Sequence, residues 1–403
     1  MADVRPFRAL RPVNALADQV IAPPYDVLTD SEARSLASNP ISFVRVTRSE
    51  VDLPKGVDPH GEETYQQARK NLDLFRTQGT LMQDERPTYY FYGQVMGEHR
   101  QVGVLAAASV EEYDRGAIKK HEYTRPDKED DRTHHMDVLN AQVGLVFLAY
   151  PAQEQLAQLT KRVIASEPQW RVTTADGVEH ALWPAPPDTV EPIRAAFGEV
   201  DSLYIADGHH RSAAASRIHQ QRASAHSAYF LAGLFPDDQL QVMAYNRVVL
   251  DLNGQTEASF RKSLAEKFVV SQTDNPVPAS RGAIHMYLGG RWYHMEARPG
   301  VVRMDDPVAS LDVAVLQDHV LEPLLGIKDP RRSTRIQFLG GIRGHQALSA
   351  AVDEGAGVAF HLYPTGLDQL FQVADAGQVM PPKSTWFEPK LREGVVIRPL
   401  DED

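Results

Sequence analysis

Apolar and polar positions along the chain recur with the periods of strands and helices, and one junction between two such patterns organises the rest. Residues 203–206 form a short apolar run that is typical of a buried strand. The run ends at Asp207 and Gly208, and strong helix formers follow from Ser212. The pattern predicts a strand, a tight turn and the start of a helix.

Two helices near the start of the chain are predicted from a cap and from apolar spacing. Thr29 and Glu32 have the spacing of a capping box, so a helix is expected to begin at Thr29 or Asp30. Residues 61–78 carry apolar side chains at helical spacing, and the buried stripe would consist of Tyr65, Ala68, Leu72 and Phe75. Between these helices, residues 41–46 read as a strand.

Turn residues between apolar runs predict hairpins, among them one around residues 96–99 and one at Gly289-Gly290. Residues 239–250 read as one long strand. Helical patterns alternate with these strands along the chain. The alternation predicts an α/β protein with mixed rather than purely parallel sheets.

Composition narrows the classes of function. With 403 residues, 42% hydrophobic and 24% charged, the chain is long enough for two domains and has the balance of a soluble globular protein. It contains no cysteine, which excludes disulfides, thiolate catalysis and cysteine zinc sites. The net charge of -12 argues against broad nucleic-acid binding, and no apolar run approaches the ~18 residues of a membrane span. We therefore expect a cytoplasmic protein without nucleic-acid or membrane partners.

The strand-to-helix junction carries groups that suit an anion. The first N–H groups of a helix have no partner within it and attract phosphate or carboxylate. Gly208 lets the backbone approach a ligand closely, and Arg211 offers a planar fork of donors for phosphate. Asp207 could hold a divalent cation against that phosphate, with His209 and His210 beside it. The alternative is an ordinary corner in which Asp207 caps the helix and the histidines are solvated.

The same stretch carries a resemblance to a known family. Residues 205–211, which read Ile-Ala-Asp-Gly-His-His-Arg and precede a run of alanines, resemble the signature of a widespread, uncharacterised bacterial and archaeal family. Further segments are similar to its pattern over nearly the whole chain, namely residues 21–27, 121–124, 131–132 and 380–385. The family is related to the ParB/sulfiredoxin superfamily. Its closest characterised relatives are free-serine kinases, which phosphorylate L-serine with a nucleotide.

The resemblance implies a ParB/sulfiredoxin-like nucleotide-binding core over residues 1–250, with a lid inserted at residues 115–140. Residues 251–403 would form an additional C-terminal α/β subdomain, with a tail that returns to the cleft. Sulfiredoxin chemistry itself needs a cysteine, which this chain lacks. Because no Walker-type phosphate loop occurs, a kinase would have to hold the phosphates at the helix start from Gly208 to Ser212.

The polar segment of residues 118–140 matches the family pattern, although its composition alone suits a solvated loop that leads into a helix. Read chemically, Glu122 suits a magnesium ligand, while Lys128 and Arg132 could neutralise the transferring phosphoryl group. The match departs at Lys120, where the family pattern has arginine. Lysine keeps the charge there but does not offer the bidentate geometry.

Other roles follow from the resemblance. A carboxylate of the early loop acts as general base in the related kinases, which implies Asp26, with Glu32 as the alternative. Asp26 could equally serve only to close its turn. Tyr25, His121 and Thr124 would contact the substrate. The tail would bring further residues to the cleft, with a catalytic role for Lys383 and cofactor contacts from Ser384, Thr385 and Lys390.

A pair of histidines, His134 and His135, raises the question of a metal site, with His121 nearby in the sequence. Adjacent residues on a helix face different directions, so the two histidines cannot easily coordinate the same ion. We therefore expect no transition-metal site at this pair.

These features together predict an enzyme that is a nucleotide-dependent phosphotransferase for a small hydroxyl metabolite, with free L-serine converted to O-phospho-L-serine as the leading candidate. Asp207 and His209 would take part in catalysis as well as in binding. The cofactors would be Mg²⁺ and ATP or ADP, with CTP as a further option, and a homodimer is one possible assembly. The alternative is a nucleotide-gated regulatory protein that phosphorylates no metabolite. A DNA-binding or nuclease-like module suits the acidic composition less well.

Overall fold

The chain folds into two compact units. The computed structural model describes residues 2–401. The first unit consists of Met1–Leu240 together with Pro389–Asp403, and the second consists of Gln241–Glu388. The second unit is therefore an insertion into the chain of the first. The division into functional domains at residue 250 stays a prediction.

Strands and helices alternate in the first unit. Its strands are β1 Val4–Arg5, β2 Leu10–Pro12, β3 Leu81–Gln83, β4 Tyr90–Met96, β5 His99–Ser109, β6 Ile118–Lys119, β7 Ala141–Gln142, β8 Val146–Tyr150, β9 Trp170–Thr173, β10 Glu179–Pro184, β11 Leu203–Asp207, β12 Tyr229–Pro236 and, after the insertion, β21 Arg398–Pro399. Its helices are α1 Ala17–Val20, α2 Asp30–Leu36, α3 Val44–Thr47, α4 Glu62–Thr77, α5 Val110–Asp114, α6 Pro126–Leu139, α7 Glu154–Ile164, α8 Val190–Gly198 and α9 His209–Arg222.

A large mixed sheet forms the centre of the first unit. Its strand order is β6-β11-β8-β12-β5-β4-β10-β9, and β1 pairs with β5 as well. The pairs β6/β11 and β8/β12 are parallel, whereas β11/β8, β12/β5 and β4/β5 are antiparallel. The predicted α/β class with mixed sheets is confirmed, and so is the hairpin around residues 96–99, since Met96 pairs with His99.

Apolar packing fixes the helices of the first unit against this sheet and against one another. Ala214 and Ile218 of α9 are fully buried in one cluster with Ile205 and Leu234 of the sheet. The predicted stripe on α4 is confirmed, because its members Tyr65, Ala68, Leu72 and Phe75 are all buried. The capping box of α2 is confirmed too, with Thr29 as its N-cap. The apolar contacts of Ala214 and Ile218 with the sheet therefore hold helix α9 in place.

The second unit is built around its own sheet. Its strands are β13 Gln241–Met243, β14 Tyr245–Val249, β15 Phe268–Gln272, β16 Ala283–Leu288, β17 Arg291–Ala297, β18 Ile336–Gly340, β19 Val358–Leu362 and β20 Trp386–Glu388. Its helices are α10 Glu257–Leu264, α11 Asp312–Leu316, α12 Gly344–Asp353 and α13 Leu367–Asp375. The sheet is antiparallel with the order β15-β17-β16-β19-β14-β18, and β13 pairs with β20 apart from it. The hairpin predicted at Gly289-Gly290 is confirmed as β16 and β17.

Two predicted strands were wrong. The stretch 41–46 contains helix α3, in which Val44 and Val46 are fully buried. Its β-branched residues favour a strand, but packing against α4 decides the conformation. The stretch 239–250 is divided into β13 and β14, because these two strands pair with different partners.

Most of the segment predicted to be a lid is the regular helix α6. This helix packs against α4 and α9 within the first unit. A role as a lid stays a prediction for this segment. Across residues 2–401, none of the helices is both long enough and apolar enough to cross a membrane.

Candidate functional site

The predicted strand, turn and helix form the junction at the end of β11. Strand β11 ends at Asp207, Gly208 adopts φ 96° and ψ 28°, and α9 begins at His209 rather than at Ser212. Ser212 lies inside the first turn, where its hydroxyl donates to the carbonyl of His209 at 3.0 Å. The left-handed backbone at Gly208 is what allows the chain to turn from strand to helix without a spacer.

Two cations meet the carboxylate of Asp207. Lys390 Nζ donates to Asp207 Oδ2 at 3.2 Å, and Arg211 Nη2 lies 3.8 Å from Oδ1. Burial alone would raise the pKa of Asp207, but Lys390 and Arg211 hold it well below its usual range. Asp207 is therefore ionised at neutral pH, and the three side chains together carry one net positive charge.

Arg211 is held in place by the loop between β7 and β8. Its Nη1 donates to the carbonyl oxygen of Leu145. Gly144 provides the space, because a Cβ at that position would lie 3.1 Å from Arg211 Cδ. Although burial opposes its charge, the carboxylates of Asp207 and Asp26 raise the pKa of Arg211. The guanidinium is thus a permanently charged group in a fixed position.

Two buried histidines lie edge to face at the same helix start. The ring centroids of His121 and His209 are 4.5 Å apart, with an interplanar angle of 88°. Burial lowers the pKa of His121 to about 4 and that of His209 well below its usual value, so both rings are neutral at pH 7. His210 Nε2 accepts a hydrogen bond from the main-chain N–H of Arg125 at 3.1 Å. These contacts tie the loop before α6 to α9.

A small cavity of about 30 Å³ adjoins Arg211. Two guanidinium groups line it, and Arg132 Cζ lies 4.1 Å from the centroid of the Tyr25 ring. Arg132 also pairs with Asp131 at 2.6 Å. The structure therefore brings three residues predicted from separate segments, Tyr25, Arg132 and Arg211, to one place.

Sequence reasoning missed Glu393, which lines the same cavity. It is only 3% exposed, and within residues 2–401 its Oε2 has no hydrogen-bond partner. Burial raises the pKa of Glu393 to about 7, although Arg211 opposes the shift. In the sequence Glu393 stands two residues before the apolar run Val395-Val396-Ile397, and this position alone does not mark it as a site residue.

The remaining predicted residues of the loop and of α6 have local partners. Thr124 Oγ1 donates to the carboxylate of Glu129 at the start of α6. Lys128 lies in the first turn of that helix and is half-buried. Potential metal-binding atoms of His121, Glu122 and His209 all lie within 4.8 Å of one another. The predicted pairing of Glu122 with Asp207 as magnesium ligands stays a prediction, and Asp207 is not a member of this cluster.

The two candidate bases of the early loop differ in their surroundings. Asp26 is exposed in the turn Tyr25–Val27, and its charge acts on Arg211. Glu32 is engaged as a helix cap, since its Oε2 accepts from the main-chain N–H of Thr29 at 2.8 Å and from the Thr29 hydroxyl at 2.7 Å. Asp26 is the better placed of the two to meet a ligand.

Three predicted tail residues belong to the second unit, where they form a structured loop. Arg247 Nη2 donates to the carbonyl oxygens of Pro382 at 3.2 Å and Lys383 at 3.0 Å. The carbonyl of Ser384 accepts from the Thr365 hydroxyl at 3.0 Å. The site roles of Lys383, Ser384 and Thr385 stay predictions. Lys390 belongs to the first unit and is the tail residue that contacts Asp207.

A family pattern described as "Protein of unknown function (DUF1015)" matches residues 4–314. The chain belongs to the DUF1015 family. The matched region of this DUF1015 protein includes the junction at Asp207 and the loop of His121, and it ends before Lys390. No curated protein sequence matches the chain.

Several solved structures are weakly similar to this DUF1015 chain. Free serine kinase in complex with AMP is 11% identical with a TM-score of 0.35, over 71% of this chain and 86% of the kinase. A conserved hypothetical protein from Pyrococcus furiosus is 11% identical with a TM-score of 0.35, over 73% and 95% of the two chains. SbnI with a C-terminal truncation, from Staphylococcus aureus, is 11% identical with a TM-score of 0.41, over 74% and 90%.

Proposed function

We propose that this protein is a nucleotide-dependent phosphotransferase that acts on a small metabolite with a hydroxyl group. The observation that carries the proposal is the convergence of Lys390 and Arg211 on Asp207 at the start of α9. A net positive cluster at the N-terminus of a helix suits the phosphates of a nucleotide. Free L-serine is the first acceptor to test, and ATP and ADP are the first donors.

The geometry of the two cations supports phosphate binding rather than a purely structural role. At 3.8 Å the contact between Arg211 Nη2 and Asp207 is too long for a hydrogen bond, so Asp207 does not occupy the N–H groups of Nη2 and they can donate to an incoming oxygen. Phosphoryl transfer needs positioned positive charge more than covalent help from the protein. Arg211 and Lys390 would supply that charge on one side of the phosphates, with Arg132 on the wall of the adjoining cavity.

Two carboxyl groups compete for the role of the base that takes the proton of the acceptor hydroxyl. Asp26 is the base implied by the family resemblance, and it is exposed at the edge of the site. Glu393 has a pKa of about 7, which suits a group that must accept a proton near neutral pH. Glu393 and Arg211 both line the same small cavity, so the hydroxyl end of an acceptor that reaches into it would lie near this carboxyl group.

The carboxylate of Asp207, which was predicted to hold Mg²⁺, does not suit this ion well. Asp207 already contacts Lys390 and Arg211, and a magnesium ion there would have to displace a cation. When a nucleotide is bound, a divalent ion would neutralise part of its phosphate charge.

The direct test is an assay of the purified full chain with L-serine, divalent cations and ATP, ADP or CTP, in which phosphoserine is followed by mass spectrometry. We expect product with at least one nucleotide. Arg211→Met should weaken nucleotide binding about 10- to 100-fold through the loss of charge-assisted hydrogen bonds. Arg217→Met is the matched control, because Arg217 lies on the same helix and pairs with Asp130 at the surface. Equal nucleotide affinity for the two variants would contradict the proposal.

One observation favours a second candidate, a nucleotide-gated regulatory protein without a metabolite substrate. The cavity beside Arg211 has room for a few water molecules but not for a metabolite. The replacements Asp26→Asn and Glu393→Gln separate the two candidates. If either carboxyl is the base, its replacement abolishes turnover and spares nucleotide binding, whereas a switch without transfer chemistry shows no phosphoserine in any variant.

Three further predictions from the sequence accompany the proposal. They are a ParB/sulfiredoxin-like core, a cytoplasmic location without nucleic-acid or membrane partners, and a homodimer. Light scattering coupled to gel filtration measures the mass of the assembly and tests the last of them.

A further inference from the structure

Three side chains from two separate segments converge at the start of α9. His121 and Glu122 follow strand β6, and His209 is the first residue of α9. One potential ligand atom from each lies within 4.8 Å of the other two. The parallel pairing of β6 with β11 places the two segments side by side, because both strands run toward the same edge of the sheet.

His121 has the features of a histidine that ligates a metal. It is 2% exposed, and in the described part of the chain its Nδ1 has no hydrogen-bond partner. The ring also hydrogen-bonds to the main chain of Ile205. Metal-binding histidines usually make such a bond through the second ring nitrogen, which fixes the tautomer and leaves the first nitrogen as a lone pair. A buried lone pair without a partner is rare in folded proteins and points to a ligand.

His209 is fixed beside it from a different element. The helix backbone and the edge-to-face contact with His121 hold the ring, and the main-chain N–H of His121 lies 3.5 Å from Nε2 of His209. That distance is at the limit of a hydrogen bond, so it does not commit the ring nitrogen strongly. Glu122 is only half-buried, and rotation of its side chain can bring the carboxylate closer to the two rings.

We propose that His121, Glu122 and His209 bind one divalent transition-metal ion, such as Zn²⁺ or Mn²⁺, with at least one coordination position open to water or to a phosphate oxygen. Two imidazoles and one carboxylate form a set that transition metals prefer, whereas Mg²⁺ prefers oxygen ligands alone. In a tetrahedral site with bonds of ~2.1 Å the ligand atoms lie ~3.4 Å apart, so all three side chains would move closer together when the ion binds. Metal binding needs no nucleotide. The metal site can therefore be tested independently of the phosphotransferase proposal.

The test is a titration of tag-free, chelator-treated full chain with Zn²⁺, Mn²⁺, Co²⁺ and Mg²⁺ by isothermal calorimetry, without nucleotide. We expect one equivalent of Zn²⁺ or Co²⁺ to bind at least 100-fold more tightly than Mg²⁺. The visible spectrum of the Co²⁺ form should show the intense bands of a four- or five-coordinate site. Glu122→Gln should weaken the binding at least 10-fold, and thermal unfolding of the metal-free variant checks that it is folded.

The matched control is a second histidine and glutamate pair outside the cluster. His134 Nε2 lies 2.6 Å from Glu62 Oε2 on the surface. His134→Gln should leave the affinity unchanged, and His121→Gln should lower it if the variant folds. The proposal is overturned if Mg²⁺ binds as tightly as Zn²⁺, if Glu122→Gln has no effect, or if His134→Gln removes the bound ion.

Discussion

Glu393 is the residue whose protonation the structure links most directly to folding. Its pKa is raised from 4.5 to about 7, so the folded protein holds this proton more tightly than the unfolded chain does. The free energy of unfolding therefore falls as the pH rises from about 4.5 to 7, and stays lower above that range. The pKa difference corresponds to about 3 kcal/mol.

Glu393→Gln should remove this pH dependence, because glutamine mimics the protonated carboxyl group. We expect the variant to gain about 3 kcal/mol relative to the native protein between pH 4.5 and pH 8, as measured by urea unfolding at both pH values. Glu85→Gln, at an exposed position, serves as control. A constant difference between Glu393→Gln and the native protein at both pH values would contradict the buried, protonated carboxyl group.

Side-chain chemistry at the junction could be predicted from the sequence, because Asp207, His209 and Arg211 are close neighbours in the chain at the start of a helix. Glu393 could not be found in the same way. Its burial depends on contacts with residues far away in the chain, and no local pattern encodes them. The contact between His121 and His209 could not be predicted from a local pattern either, because the two residues are 88 positions apart in the sequence.

Among the elements, the turn at Gly208 is sensitive to substitution. Alanine at φ 96° is strained, and its Cβ would lie 3.0 Å from Arg211 Nε. Gly208→Ala should lower the free energy of unfolding by about 1–2 kcal/mol, as measured by chemical denaturation. Gly198→Ala is the control, because a Cβ at this last residue of α8 meets no atom within 4 Å. An equal effect of both substitutions would show that the turn is not strained by a side chain.

Helices with caps and a clear stripe were predicted well, as α2 and α4 show, and so were the hairpins with glycine turns. The wrong strand at 41–46 has a physical cause. Propensity favours a strand for its valines, but the free energy of packing Val44 and Val46 against α4 is larger than the small difference in propensity.

For the whole molecule, the segment that returns after the insertion closes the first unit. The main chain of Ile397 pairs with Leu10, and that of Glu393 pairs with Ala22. Ile397 is fully buried in the cluster that contains Phe43 and Leu72. The boundary of the first unit could not be predicted, because a local pattern does not reveal that a chain comes back to a sheet it left earlier.

A chain that ends at Glu388 should therefore lose the cooperative unfolding of the first unit. It would lack the buried Ile397 and both main-chain pairings, and removal of large buried apolar side chains costs about 2–5 kcal/mol each. Thermal unfolding followed by circular dichroism measures the loss, and a synthetic peptide of residues 389–403 added in trans should restore part of it. An unchanged melting transition of the shortened chain would contradict this role.

Asp207 and Lys390, which pair in the folded protein, are 183 positions apart in the sequence. The sequence of the inserted second unit, Gln241–Glu388, comes between them. At the usual rate of protein synthesis, a ribosome would deliver the lysine about 10 to 40 s after the aspartate. During that interval the nascent β11 and α9 would carry the carboxylate of Asp207 without the ammonium group that pairs with it in the folded protein. Chaperones that bind nascent chains would therefore encounter the first unit before its last segment has been synthesised.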